Sequence, residues 1–401
     1  MTGLRPVDWR RNLGALWFAE FTAIVGFSFA FPFIPLYLRQ DLGVHTGQAL
    51  ALWTGLAASV TGFSLAFFSP IWGALADRYG RKSMLVRAMI GGGLTVGLMG
   101  LARGPIDLVV LRFIQGASSG TIAAATALLT SETPRERVGW ALGVLSSAVA
   151  LGGAVGPLIG GVAAAFFGLR VIFLTGGVLL LAASIPVIAV VRETPLRRGA
   201  GDGDGAMAAI RARGQGTLAV VVALLVAQSL MQISYSAAQQ LVVLRLLEFL
   251  SRGAETVTGL AFGAAGLATG IAAVTYSFAT RRAGYKRVAA VAAVLFGGSI
   301  AAAAVAPSVA LVVVAVAVFG LVYGALNPSL SSMLGLEAPA QVQGRVFGAS
   351  ASAIALGFAF GPLIGGAVAA TVNVRAALLV AAAVSVALSG VVAAGTREPA
   401  R

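Results

Sequence analysis

Few side chains in this chain are equipped for chemistry, and most of them stand inside apolar runs. Glu20 lies in LWFAEFTAIVGFSFAF, two turns into a run that begins near residue 13. Burial disfavours a charged carboxylate, so such an acid can hold a proton and give it up for a cationic partner. Arg10 and Arg11 are the alternative, as basic partners that would hold it near an interface. Arg112 is the one basic residue expected well inside a run, with Gln115 and Ser119 following on the same helical face. An unpaired arginine there costs a few kcal/mol or more, so it must face a polar interior or pair with Asp107 near the end of its run. Gln228, Gln232, Tyr235 and Gln239 are spaced by 4, 3 and 4 residues and so share one helix face. Tyr323 and Asn327 make a similar pair. Facing lipid, such a stripe would be costly; facing a cavity, it offers hydrogen bonds without fixed charge. Its other reading is glue between helices.

The composition says what must position these groups. The 401 residues are 58% hydrophobic and only 10% charged, and the mean hydropathy is +0.93. A soluble domain carries about 25% charged residues. There is no cysteine and one histidine, His45, which argues against disulfides, thiolate metal centres and His-based metal sites or triads. No metal or cofactor is expected. The net charge of +14 does not signal nucleic-acid binding, because the basic residues cluster in short breaks between apolar runs. With no P-loop and only Lys82 and Lys286 as lysines, ATP-driven chemistry is not expected.

Twelve runs are long enough to cross a bilayer: 13–38, 51–75, 83–102, 105–130, 138–164, 171–191, 217–247, 257–280, 288–306, 308–333, 346–370 and 374–395. The first is too long for a cleaved signal peptide, and Pro32 and Pro35 interrupt its end. The break at 192–216, beginning RETPLRRGAGDGDG, reads as a linker between a six-helix bundle at 1–191 and another at 217–401. Placing the N-terminus in the cytoplasm puts 21 of the 28 basic residues inside and six outside, with Arg112 in a span. That bias predicts an inner, plasma-type membrane location with both termini cytoplasmic.

The halves repeat. GWALGVLSSAVALGGAVGPLIGG at 139–161 matches GRVFGASASAIALGFAFGPLIGG at 344–366, an offset of 205 residues. A weaker match pairs ADRYGRK at 76–82 with TRRAGYK at 280–286, where Arg281 stands opposite Asp77. Two repeats in the same orientation predict bundles related by an axis along the membrane normal, rocking about a central site. Gly80 permits a tight turn between antiparallel helices. Gly156-Pro157 predicts a break in the fifth span. The small-residue pairs Gly259/Gly263 and Gly266/Gly270 read as packing.

These motifs resemble the major facilitator superfamily. Gly73, Asp77, Arg78, Gly80, Arg81 and Lys82 match its signature loop, G-x-x-x-D-R-x-G-R-[RK]. Arg112, Gln115 and Gly116 resemble R-x-x-Q-G of its fourth helix. Gly152, Gly156, Pro157, Gly160 and Gly161 match G-x-x-x-G-P-x-x-G-G, characteristic of its drug:proton antiporters; Gly357, Gly361, Pro362, Gly365 and Gly366 repeat it. The resemblance implies an all-α membrane protein of twelve helices in two six-helix bundles, and a transporter rather than an enzyme. It implies alternating access, with proton-coupled export of lipophilic, cationic drugs. Glu20 and Arg112 would couple protons. Glu20, Gln115, Gln228, Gln232, Tyr235, Gln239, Tyr323 and Asn327 would line the cavity. Asp77 would latch onto the start of the eleventh helix near Gly344 and Arg345, with Arg81 pairing to Glu132, and the glycine-proline motif would act as a hinge. The degenerate loop at Arg281 leaves the second latch in doubt. The expected partners are a small lipophilic substrate, protons and the bilayer, for a monomer that binds no nucleic acid. Export of one specific solute, such as a sugar, lipid or metabolite, is the alternative within transport, and a non-transporting sensor is the alternative outside it.

Overall fold

A computed structural model describes residues 8–194, 217–250, 252–338 and 343–398, apart from the side chains of Asp77, Arg135, Gln343 and Gly344. Most of the linker, including Arg197, Arg198, Arg211 and Arg213, lies outside the described residues. The described chain forms twelve helical spans. α1 starts at Trp9, passes through a 3-10 turn at Phe31–Phe33 where Pro32 sits, and continues over Ile34–Gln40. α2 is Gly47–Tyr79, α3 Arg81–Met99, α4 the two pieces Pro105–Ser118 and Thr121–Glu132, α5 Arg135–Phe167 and α6 Leu169–Val190. α7 is Thr217–Phe249, α8 Ala254–Ala283, α9 Tyr285–Val305, α10 Val309–Glu337, α11 Gln343–Thr371 and α12 Val374–Gly395. Eleven spans are long and apolar enough to cross a membrane. α3 falls short because Arg81, Lys82 and Arg87 occupy its first two turns.

Two expectations about helix continuity are reversed. α5 runs unbroken through Pro157, and α11 through Pro362. Proline is tolerated in membrane helices where close neighbours re-satisfy the freed backbone, and Gly152, Gly156 and Gly160 bring α5 directly against α1 backbone. α4, expected to be continuous, is interrupted at Ser119 and Gly120, where Gly120 has φ +119°.

The bundles meet through α2 against α11 and α5 against α8. A Cβ on Gly161 would sit 2.8 Å from Gly259 Cα, and one on Gly366 2.9 Å from Gly55 Cα. These are equivalent contacts in the repeat, and they demand glycine. Phe63 also meets Phe360 edge-on, with centroids 5.1 Å apart. About five turns along the same faces, Gly73, Gly143 and Gly348 meet nothing within 4 Å among the described residues, and Gly270 likewise about three turns from Gly259. The halves are therefore apposed at one end and splayed at the other. The splayed end carries Arg10, Arg11, Arg78, Arg81 and Lys82 and is called the basic end below. At the apposed end, Gln40 Nε2 donates to Glu255 Oε1 (2.5 Å) and Arg39 Nη1 to the Leu247 carbonyl (3.4 Å).

Candidate functional site

α1 begins under an Asp8 cap, which accepts from the Arg10 and Arg11 backbone N–H groups. Eleven residues on, about 16 Å along the axis at 1.5 Å per residue, Glu20 is fully buried. Its Oε2 accepts from Thr121 Oγ1 at 3.4 Å. Its Oε1 is buried without a hydrogen-bond partner among the described residues. The arginine alternative is not realised: Arg10 and Arg11 are exposed, and Arg10 lies over the Trp9 ring. Sequence reasoning missed Thr121, although a hydroxyl beside a Ser-Gly pair was a legible signal.

Arg112 is buried and held entirely by uncharged groups. Its Nε donates to the Ala57 carbonyl (2.9 Å) and its Nη1 to Gln115 Oε1 (2.7 Å), and its guanidinium lies 4.5 Å from the Phe31 ring centroid. Asp107 instead accepts from the Arg103 N–H, just ahead of its helix. Gln115 is thus spent on Arg112 and is not a free cavity group. Arg112 is also not alone within the spans. Arg87, two turns into α3, stacks 3.6 Å from the Trp72 ring centroid and donates to the Ser119 carbonyl. Arg245, near the end of α7, is buried; it donates to the Ala306 carbonyl and pairs with Glu248. Hydropathy cannot flag these two because each sits near the end of its run.

In the second half, the α7 stripe divides. Gln228 is consumed between helices: Ser350 Oγ of α11 donates to its Oε1 (2.6 Å), and its Nε2 donates to Ser331 Oγ of α10 (3.4 Å). Gln232 Oε1 accepts from Tyr323 OH (3.4 Å), while its Nε2 is buried without a partner among the described residues. Tyr235 stacks on Tyr323 and Phe319, with centroids 4.2 and 5.3 Å apart. Gln239 and Asn327 are half-buried. The structure therefore brings Gln232, Tyr235 and Tyr323 together.

The loop between α2 and α3 turns at Gly80, with φ +93°. The Asp77 side chain lies outside the described residues, and with it the expected latch onto the start of α11 near Gly344 and Arg345. The expected Arg81–Glu132 pair is not formed. Arg81 Nη1 donates to the Ala127 carbonyl (2.9 Å), and the Glu132 carboxylate accepts from Thr194 N and Oγ1. The competitor is the segment after α6, which ties three helices. Glu193 accepts from the N–H groups of Arg81 and Lys82 at the start of α3 (2.8 and 2.9 Å). Arg192 pairs its backbone with Asn12 of α1. Lys82 Nζ donates to the Ile188 and Val191 carbonyls.

The second half repeats this strap. Glu398 accepts from the Tyr285 and Lys286 N–H groups (2.7 and 2.9 Å), Lys286 Nζ donates to the Thr396 carbonyl, and Arg397 pairs with Glu337 and reaches Thr217. Glu193/Glu398, Glu132/Glu337 and Asn12/Thr217 are each 205 residues apart. The Arg-Glu pairs at 192–193 and 397–398 were the sequence signal for it. Glu193 and Glu398 each place a carboxylate at a helix N-terminus, where the macrodipole favours an anion.

Comparison with known proteins agrees with this architecture. The sequence profile described as Major Facilitator Superfamily matches residues 16–250 and 214–401. A stretch of 177 residues is 44% identical to the multidrug resistance protein MdtG of Escherichia coli (strain K12 / DH10B). It spans 44% of this chain and 43% of that protein, so this relative is matched over less than half its length. Among solved structures, a bacterial homologue of the human lysosomal transporter Spinster aligns with a TM-score of 0.76 at 15% identity, covering 99% of this chain and 100% of that one. The human organic anion transporter MFSD10 (TETRAN) aligns with a TM-score of 0.69 at 18% identity, covering 96% and 99%. At these identities the structures share the fold.

Proposed function

The chain belongs to the Major Facilitator Superfamily, a multi-pass membrane family, and from that premise we propose that it exports lipophilic cationic compounds in exchange for protons by alternating access. The observation that carries the reading is Glu20: a fully buried carboxylate with, among the described residues, one bare oxygen and no basic side chain bonded to it. A group so placed accepts a proton or a cation, and the two compete for it. Arg112 does not neutralise it, being held by Ala57, Gln115 and Phe31. The relative MdtG, a multidrug resistance protein, supports export of small drug-like compounds.

The basic end is assigned to the cytoplasm by its arginines and lysines, with both termini on that side of an inner membrane. The conformation described here then opens inward, with its outer side sealed at Gly161/Gly259 and Gly55/Gly366. In this state substrate enters from the cytoplasm and displaces the Glu20 proton. Tyr235, Tyr323 and Gln232 supply an aromatic and amide wall in the second bundle. The bundles then rock until the basic end closes, and an external proton returns to Glu20 after release. The protein works as a monomer in the lipid bilayer, with Asp77 biasing the outward-open state; Asp77→Ala slows transport with substrate binding largely intact.

The reading is tested by substrate-triggered proton release from purified protein in weakly buffered detergent. Wild type releases protons on adding a lipophilic cation, and Glu20→Gln, with retained folding, does not. Equal release from both proteins would overturn it.

A further inference from the structure

The second piece of α4, Thr121–Glu132, joins two places that the transport cycle must connect. Its N-terminus stands at Glu20, through the Thr121 hydroxyl. Its second half carries both anchors of the basic-end network: the Ala127 carbonyl that receives Arg81, and, at its far end, the Glu132 carboxylate that receives Thr194. The twelve-residue piece is freed from the rest of α4 by the interruption at Ser119 and Gly120. That interruption is built and stabilised. Ser119 Oγ donates to the Gln115 carbonyl (2.8 Å), Trp72 Nε1 to the Ala117 carbonyl (2.6 Å) and Arg87 Nη2 to the Ser119 carbonyl (3.4 Å). No side chain of its own cap satisfies the N-terminus of the second piece. The charge facing that positive helix end is the Glu20 carboxylate, fully buried and with Oε1 bare.

The repeat supplies a control. At the 205-residue offset that aligns Glu132 with Glu337, Glu20 corresponds to Leu225, Gly120 to Ala325 and Thr121 to Leu326. α10 is continuous from Val309 to Glu337. The half without the acid has neither the break nor the hydroxyl.

We propose that Thr121–Glu132 is a lever that carries the charge state of Glu20 to the Arg81 and Glu132 anchors of the basic-end gate. This rests on the reading of Glu20 as the proton-exchanging group. With Glu20 ionised, the carboxylate attracts the half-helix N-terminus and accepts the Thr121 hydrogen bond. With Glu20 protonated or its charge met by a cationic substrate, that attraction is lost and the half-helix is released against Arg81 and Thr194. The difference in contacts between the two charge states is what biases the gate. Among the described residues, Glu20 is the acid at this half-helix N-terminus, and the other charged groups of the packed helices are placed as follows. α5 has no titratable side chain from Gly139 to Phe167, and α6 none from Val171 to Val191. On α4, Arg112 is bonded elsewhere; on α3, Arg87 donates to the Ser119 carbonyl and so is a fixed charge at the interruption itself, the same in both charge states of Glu20; on α1, Arg10 and Arg11 are exposed.

The chain has no native cysteine, so spin labels at Arg137→Cys on α5 and Ala283→Cys on α8 report the width of the basic end in reconstituted full-length protein. Distances are recorded across a pH titration, and the infrared band of the protonated Glu20 carboxyl is followed in parallel, with Glu20→Gln identifying it. The lever predicts that Thr121→Val keeps the carboxyl titration and loses most of the gate response, that Thr121→Ser restores it, and that Gly120→Ala, which resists φ +119°, also uncouples the two. A gate that follows pH normally in Thr121→Val and Gly120→Ala, but not in Glu20→Gln, would overturn the lever and leave Glu20 as the proton group. A gate that still follows pH in Glu20→Gln would overturn both.

Discussion

Replacing Gly161 with alanine tests whether the glycine contacts between the bundles belong to one conformation only. The new Cβ would lie 2.8 Å from both the Glu255 carbonyl oxygen and Gly259 Cα. Comfortable contact begins near 3.5 Å, so α5 and α8 would have to part by about 0.7 Å. Backbone atoms cannot rotate away as a flexible side chain can. Overpacking of this kind costs about 1–3 kcal/mol, charged only to the state in which this end is sealed. At about 1.4 kcal/mol per tenfold, the population shifts away from the basic-end-open state by about fivefold to a hundredfold. Cysteines at the exposed positions His45 and Arg252, in a chain with no others, allow the outer separation to be read by spin-label distances. Wild type gives mainly the short distance and Gly161→Ala a dominant long one. Gly143→Ala, whose Cβ enters open space in the present state, keeps the short one, because its clash arises only when the basic end closes. An unchanged distribution in Gly161→Ala would refute the assignment of this contact to a single state of the cycle.

Three further outcomes follow from side-chain geometry. Glu193→Ala and Glu398→Ala each uncap two helix N–H groups and cost about 1 kcal/mol, seen as lowered and additive thermal unfolding temperatures in detergent; unaltered unfolding would show the straps to be idle. Arg112→Lys keeps the charge but loses the fork onto Ala57 and Gln115, bonds worth about 1.5–3 kcal/mol when charge-assisted, and slows transport by about tenfold or more with expression retained; a wild-type rate would deny the geometry a role. Ser350→Ala strands the Gln228 carbonyl oxygen and lowers stability by about 1–3 kcal/mol with substrate range unchanged, whereas Tyr323→Phe strands Gln232 Oε1 in the same way and in addition alters substrate affinity; an altered affinity in Ser350→Ala and none in Tyr323→Phe would exchange glue for cavity.

The spans were legible because hydrocarbon thickness imposes a run length that survives as composition. Only α3 blurs that signal, since its basic residues start inside the helix. The helix interruptions were misjudged in both directions. Proline is a loud signal, yet α5 and α11 absorb it by packing small residues against a neighbouring helix. The real break in α4 is carried by Ser119-Gly120 and held open by Trp72 and Arg87 from other spans, which no local pattern encodes. Glu20 and Arg112 stood out because charge inside an apolar run is expensive. Their partners did not, because Thr121 and Ala57 are reached through tertiary packing. The Arg81–Glu132 expectation failed for a similar reason: Thr194 reaches Glu132 from the end of α6, and a nearby carbonyl takes Arg81. The polar stripe on α7 was real as a pattern, but hydrogen-bond partners sort it into glue at Gln228, whose amide is used at both ends, and candidate cavity at Gln232 and Tyr235.

Exchange of protons and a cationic substrate through Glu20 is measured in proteoliposomes carrying an imposed pH gradient. Transport of a lipophilic cationic dye is followed for wild type and Glu20→Gln at matched protein content. The expected result is gradient-driven transport in wild type and its loss in Glu20→Gln. Gradient-driven transport that persists in the variant, or none in folded wild type, would contradict it.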